Sequence, residues 1–251
     1  LYSPFKTFYN IGLFTYGQLE VLPDYQNISI PVKTLQLATA TYGVSKLRKT
    51  LGAVTDEKGY SWKINASTLL AKRELYPSIV SDQDLGFLIP GVRNSSFWIR
   101  NSVGLSAGER ESGLSHFYFG GFRNNYVDWK PSEQYRSTLS FPGANIDELN
   151  GYNYIKSMAE LNLPPVRLKN VGTTWLYPTF IKGSLFGTHL LTNFDKRQFT
   201  ENYFNAGLQI DFQIVLFSYL KTTWSAGYAR KFESDKRFTQ QFMLSLKLLG
   251  D

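Results

Sequence analysis

Between residues 204 and 216 every second residue is apolar or aromatic: Phe204, Ala206, Leu208, Ile210, Phe212, Ile214 and Leu216. Between them stand Asn205, Gly207, Gln209, Asp211 and Gln213. A period of two puts the first set on one side of a strand and the second on the other. One side then suits an apolar medium and the other suits water. No apolar run approaches the roughly 20 residues that a membrane-crossing helix needs, and candidates such as residues 214–217 are strand-sized. The alternation therefore excludes a helical membrane protein and points to an all-β chain.

The same reading, carried along the chain, predicts about ten strands, at 9–21, 35–47, 59–71, 76–89, 97–105, 152–163, 175–191, 204–216, 217–228 and 238–249. Tyr60, Trp62, Ile64 and Ala66 alternate with Ser61, Lys63, Asn65 and Ser67. Phe97, Ile99, Val103 and Leu105 oppose Trp98, Arg100, Ser102 and Gly104. A loop with Pro23 and Pro31 follows the first strand, and Pro178, Gly183 and Gly187 mark the strand at 175–191 for a bulge. Pro164 and Pro165 stop the ladder after Leu163. The hairpin after Tyr228 is expected to turn through the charged stretch 230–237.

Most of these strands exceed the usual length of roughly 5–6 residues and match the roughly 9–11 of a tilted membrane strand. The chain's 16 Tyr, 19 Phe and 5 Trp suit aromatic girdles at membrane interfaces. Its mean hydropathy is slightly negative. That value does not decide the matter, because barrel strands average lipid-facing and lumen-facing residues. A soluble β-sandwich is the alternative.

Residues 117–163 carry the chain's most distinctive stretch. Gly120 and Gly121 stand directly before Phe122 and Arg123, which suits a tight backbone turn that buries a guanidinium. A polar segment leads to a strand in which Tyr154, Lys156, Met158 and Glu160 share one face. Glu160 thus lies with the polar set, within reach of Arg123. The connection 109–150 exceeds the roughly 12–15 residues beyond which a structureless loop is functional or disordered.

Two glycines before an aromatic-flanked arginine, then a long loop, then a Gly-opened strand ending in Glu and Pro, resemble the bacterial surface antigen superfamily. That superfamily includes outer-membrane assembly barrels and two-partner-secretion transporters. The resemblance covers nearly all residues from Gly43 to Leu249. It implies an antiparallel transmembrane β-barrel of about sixteen strands, with residues 1–251 forming its C-terminal part and the remaining strands upstream. It implies that 109–150 folds into the lumen, that Arg123 is the signature residue, and that Glu160 is the wall acid that binds it. Gly120, Gly121, Phe122, Arg123 and Glu160 form the expected loop lock, and Arg100, Lys156 and Asp211 are expected lumen charges. Asn124 stands where the family usually has Gly, and no second lumen acid occurs between Trp175 and Gly187.

The family's role implies a Gram-negative outer-membrane protein acting in translocation or membrane insertion of proteins or lipids. Outer-membrane lipids, a polypeptide or lipid cargo and an upstream domain of the same protein are the implied partners. A membrane anchor for an upstream propeller or hydrolase-like domain is the alternative, and a passive pore is a third. The net charge of +7 comes without a basic run dense enough for nucleic acid. There are no cysteines, so disulfides and thiolate metal sites are excluded. Residues 104–108 match G-x-S-x-G around Ser106, with His116 and His189 as nominal bases. That motif requires a helix after the serine, and the polar stretch that follows does not read as one. No metal, nucleotide or other cofactor motif occurs, and the chain is not read as an enzyme.

Overall fold

The computed structural model describes residues 5–17, 34–71, 73–169, 171–232 and 238–248. Its strands in chain order are β1 (Lys6–Tyr16), β2 (Leu35–Arg48), β3 (Lys58–Ala71), β4 (Glu74–Leu88), β5 (Ser96–Ser106), β6 (Phe117–Phe119), β7 (Val127–Asp128), β8 (Leu149–Gly151), β9 (Asn153–Asn162), β10 (Val166–Arg167), β11 (Leu176–Thr192), β12 (Glu201–Leu216), β13 (Leu220–Phe232) and β14 (Phe238–Leu248). Ten of these are long, five before the connection 107–152 and five after it, as the alternation predicts. The loop carrying Pro23 and Pro31, the end of the expected first strand, and residues 233–237 lie outside the described residues.

The long strands form one antiparallel sheet in the order β1-β2-β3-β4-β5-β9-β11-β12-β13-β14. The sheet is open: it does not close into a barrel, and β1 and β14 are its edges. Two residues of β7 pair in parallel with β14 at Leu246 and Lys247. Among the described residues no second large sheet faces the first, so they do not form the alternative sandwich. The register slips between Pro178 and Phe180, the bulge expected where a proline withdraws its N–H from the ladder.

One boundary differs from expectation. Phe217 and Ser218 have φ of 53° and 65° and make a tight hairpin turn, so β13 begins at Leu220. It runs on to Phe232 because Arg230 and Lys231 keep pairing with Ala206 and Asn205. The charged stretch thus starts inside the ladder.

Cross-strand register sorts the two faces. One row runs Phe87, Phe97, Leu161, Leu185, Leu208, Tyr228 and Phe242, apolar or aromatic at every step. This face is uncovered: Phe204, Ile210 and Leu244 are exposed, and Phe242 is 75% exposed. The other face carries Lys156, Glu160, Lys182, Gln209, Asp211 and Lys231, all buried. What buries them is the connection 107–152, which lies across this face. Its Phe119, Phe141, Ala144 and Leu149 pack with Tyr154 and Leu190, and its Phe122 and Tyr135 pack with Met158, Phe186 and Ala229. The core therefore sits between a loop and one face of a sheet.

Candidate functional site

The loop is seated by aromatic rings and charges that descend from it onto the wall. Tyr135 stacks on Phe186 with ring centroids 4.5 Å apart, and Phe122 meets the same ring edge-on at 6.1 Å. Phe122 packs on β13 at Gly227, where a Cβ would come within 2.7 Å of its ring. Gly120 is required for a different reason. A Cβ there would stand 1.8 Å from the Asn145 carbonyl oxygen, so the backbone of 120–121 approaches the return strand of the loop too closely for any side chain.

Beneath these rings runs an alternating ladder of charge. Asp84 on β4 pairs with Arg100 on β5 at 3.1 Å, and Arg100 Nε donates to Glu160 on β9 at 2.8 Å. Glu160, with no exposure, also accepts from Arg136 of the loop and from the Tyr135 hydroxyl at 3.1 Å. Arg136 stands 3.7 Å from Glu133, and Lys182 on β11 donates to Glu133 at 2.8 Å. Each buried charge thus lies between opposite charges, the arrangement that offsets the desolvation cost of putting ions out of water.

Glu133 and Arg136, the loop's two charges in this ladder, are biased toward their charged forms. Burial raises the Glu133 carboxyl, but Arg136 and Lys182 together hold it well below the usual carboxylate range. Burial opposes charge on Arg136, yet Glu160 and Glu133 push its guanidinium well above its ordinary value. Burial drives the Tyr135 phenol well up, so it remains a neutral donor to Glu160.

Arg123 does not reach Glu160. It pairs within the loop with Asp147 at 2.6 Å and donates to the Tyr118 carbonyl at 3.0 Å. The expected loop lock therefore divides in two. Gly120, Gly121 and Arg123 brace the loop internally, while Phe122 packs on the wall and Glu160 binds Arg136. The reason is local: Arg123 itself adopts the left-handed conformation, φ 65°, which directs its side chain back toward Asp147. Asn124, which stands where the resembling family usually has Gly, is not left-handed.

The three predicted inward charges all lie on the loop face. Arg100 is in the ladder. Lys156 Nζ donates to the carbonyls of Ser137 at 2.8 Å, Thr138 at 3.0 Å and Ser140 at 2.5 Å, gathering one loop turn onto β9. Asp211 accepts from Gln209 at 2.7 Å and Ser225 at 2.6 Å. A further clamp joins Lys231 to Glu148. Asn205 donates to the Pro142 carbonyl at 2.8 Å, and Gly143 N–H donates to Gln241 at 3.2 Å.

Sequence reasoning missed Arg136, Tyr135, Glu133 and Lys182. One signal was present, since Tyr135-Arg136 repeats the aromatic-arginine step of Phe122-Arg123. Lys182 was also readable, because it keeps the parity of Ser184 and Phe186 on β11 and faces Asp211 across the ladder.

Ser106 ends β5, and a bend and a turn follow in place of a helix. His116 Nδ1 lies 3.1 Å from the Ser112 carbonyl oxygen, and His189 stacks on Phe204 with centroids 4.4 Å apart. The strand–turn–helix geometry of a nucleophile elbow is not formed at Ser106. Among the described residues no group of three or more His, Asp or Glu stands together as a metal site. What the arrangement does is clamp the loop electrostatically onto the sheet. The chain matches no family model and no curated protein.

Proposed function

We propose that this chain is part of an outer-membrane β-barrel of the surface-antigen type, with the loop face as lumen and the uncovered face toward lipid. The observation that carries the reading is the inverted distribution of polarity. Exposed Phe, Leu, Ile and Trp tile one face of ten long strands, and the mid-strand charges lie on the other. In water an exposed apolar face of this extent is a liability; in a bilayer it is the requirement. Open edges in hydrocarbon cost several kcal/mol for each unsatisfied group, so further strands of the same protein are needed to close the barrel.

The activity that this reading assigns is translocation or membrane insertion of a polypeptide or lipid, with the seated loop as the element that holds the lumen. A second reading, a membrane anchor for a soluble domain of the same protein, draws on the firmness of that seating. Ladder, Lys156 and Lys231 clamp the loop at three separate places, as suits a lumen that stays filled. The two are separated by reconstituting the full-length protein in planar bilayers, alone and with Glu160→Ala. Translocation predicts conductance that rises when the clamp is cut. A silent membrane in both cases favours the anchor, and failure of the protein to enter the bilayer contradicts both.

A further inference from the structure

At the end of the sheet where β2 turns to β3 and β12 turns to β13, a cavity of about 400 Å³ opens beside the loop. Five cations line it: Lys49, Arg167, Lys182, Lys221 and Lys247. They come from five separate places, namely the end of β2, β10, β11, β13 and β14. Among the described residues two carboxylates share the space, Glu133 and Asp211. Glu133 is engaged by Lys182 and faces Arg136, and Asp211 accepts hydrogen bonds from Gln209 and Ser225. The acids present therefore leave a positive excess, converging from several walls on a space of ligand size.

We propose that this cavity is a binding site for a phosphate-bearing anion. A convergence of ammonium groups around one guanidinium matches a compact polyvalent oxyanion. The lysines act as point charges, and Arg167 supplies a planar fork that pairs with two phosphate oxygens. Arg167 already donates one Nη2 bond to the Gly52 carbonyl at 2.7 Å, which fixes the guanidinium at the rim. The Lys182–Glu133 pair lines the cavity, so a bound anion competes with Glu133 for Lys182 at the last rung of the ladder. The site rests on the geometry of this cavity alone and does not require that the sheet cross a membrane.

The shared chemistry is the phosphate group, whether free or on a lipid headgroup, and two ligands distinguish the sources. Inorganic pyrophosphate and a soluble short-chain phosphatidic acid are titrated calorimetrically into the full-length protein in uncharged detergent. Saturable binding is expected, weakening as salt screens it. It is expected to fall by about tenfold or more when Arg167→Gln and Lys221→Gln remove two charge-assisted contacts. Both residues lie at the exposed rim, so their loss does not disturb the buried ladder. Lys196→Gln, in a turn at the opposite end of the strands, leaves the affinity unchanged. Binding of pyrophosphate supports a free phosphate as ligand, and binding of phosphatidic acid alone supports a headgroup. Binding of neither ligand, or binding indifferent to the double substitution, overturns the proposal.

Discussion

The two faces of this sheet are made by the same strands and the same alternation, and they are stabilised in opposite ways. On the uncovered face, neighbours such as Leu185, Leu208 and Tyr228 meet across the ladder, and nothing among the described residues packs over them. Substituting one for another of similar size disturbs little, since no partner surface must be matched. On the loop face, the charges of the ladder each meet a specific partner, and Glu160 has three: Arg100, Arg136 and Tyr135. The difference teaches that one face is specified by polarity alone and the other residue by residue.

The comparison can be broken most forcefully at Glu160. Replacing it with Ala leaves Arg100 and Arg136 facing each other without the intervening carboxylate. Breaking a buried pair in this way costs about 3–5 kcal/mol. The loop should then become accessible to protease while the sheet persists, and an unchanged digestion pattern would deny the ladder its role. On the uncovered face, Ile210→Arg should cost about 2–4 kcal/mol in a bilayer-inserted protein. Ser61→Arg, opposite Asp84 on the polar face, should fold like the wild type by denaturant titration. Equal damage from the two would erase the distinction between faces.

A finer test separates the two arginines of the loop. Arg136→Ala combined with Glu160→Ala should be no worse than the worse single variant, because the residues share one network. Arg123→Ala should add to Glu160→Ala and by itself cost no more than about 1 kcal/mol, as a partly exposed pair does. Reversal of these patterns in a double-mutant cycle would return Arg123 to the wall acid.

The smallest effect is that of pH. Glu133 is held below its unfolded value by Arg136 and Lys182, so the stability it contributes is present above the ordinary carboxylate range and is lost as pH falls through its depressed folded value. A dye on Ser132→Cys, a unique thiol in a chain without cysteine, should report a seated loop from neutral pH through mild acid and release only in strong acid. Release on passing through the ordinary carboxylate range would show that the pairing is weaker than the geometry gives.

The sequence made the strands legible because period-two alternation needs no knowledge of partners. Phe204, Leu208 and Ile210 fell on one side and Gln209 and Asp211 on the other without any tertiary information. The bulge at Pro178 was equally local, since a missing N–H breaks a ladder wherever it stands. The wall acid Glu160 was found from parity. Its partner was not, because partner choice depends on where a 46-residue connection (107–152) brings each arginine, and the left-handed backbone at Arg123 decides that. Glu133 and Lys182 were missed for the same reason: their pairing spans 49 positions and is created only when the loop lies down.

In the proposed function the uncovered face meets lipid. Because residues 1–251 have no cysteine, single Cys substitutions from 203 to 212 along β12 can each carry one fluorophore in the full-length protein, any cysteine outside these residues being replaced, after reconstitution in vesicles. A lipid-soluble quencher should act at 204, 206, 208 and 210 and spare 205, 209 and 211, which the loop covers. Quenching of 204, 206, 208 and 210 by an aqueous reagent, with none from the lipid phase, would contradict the account.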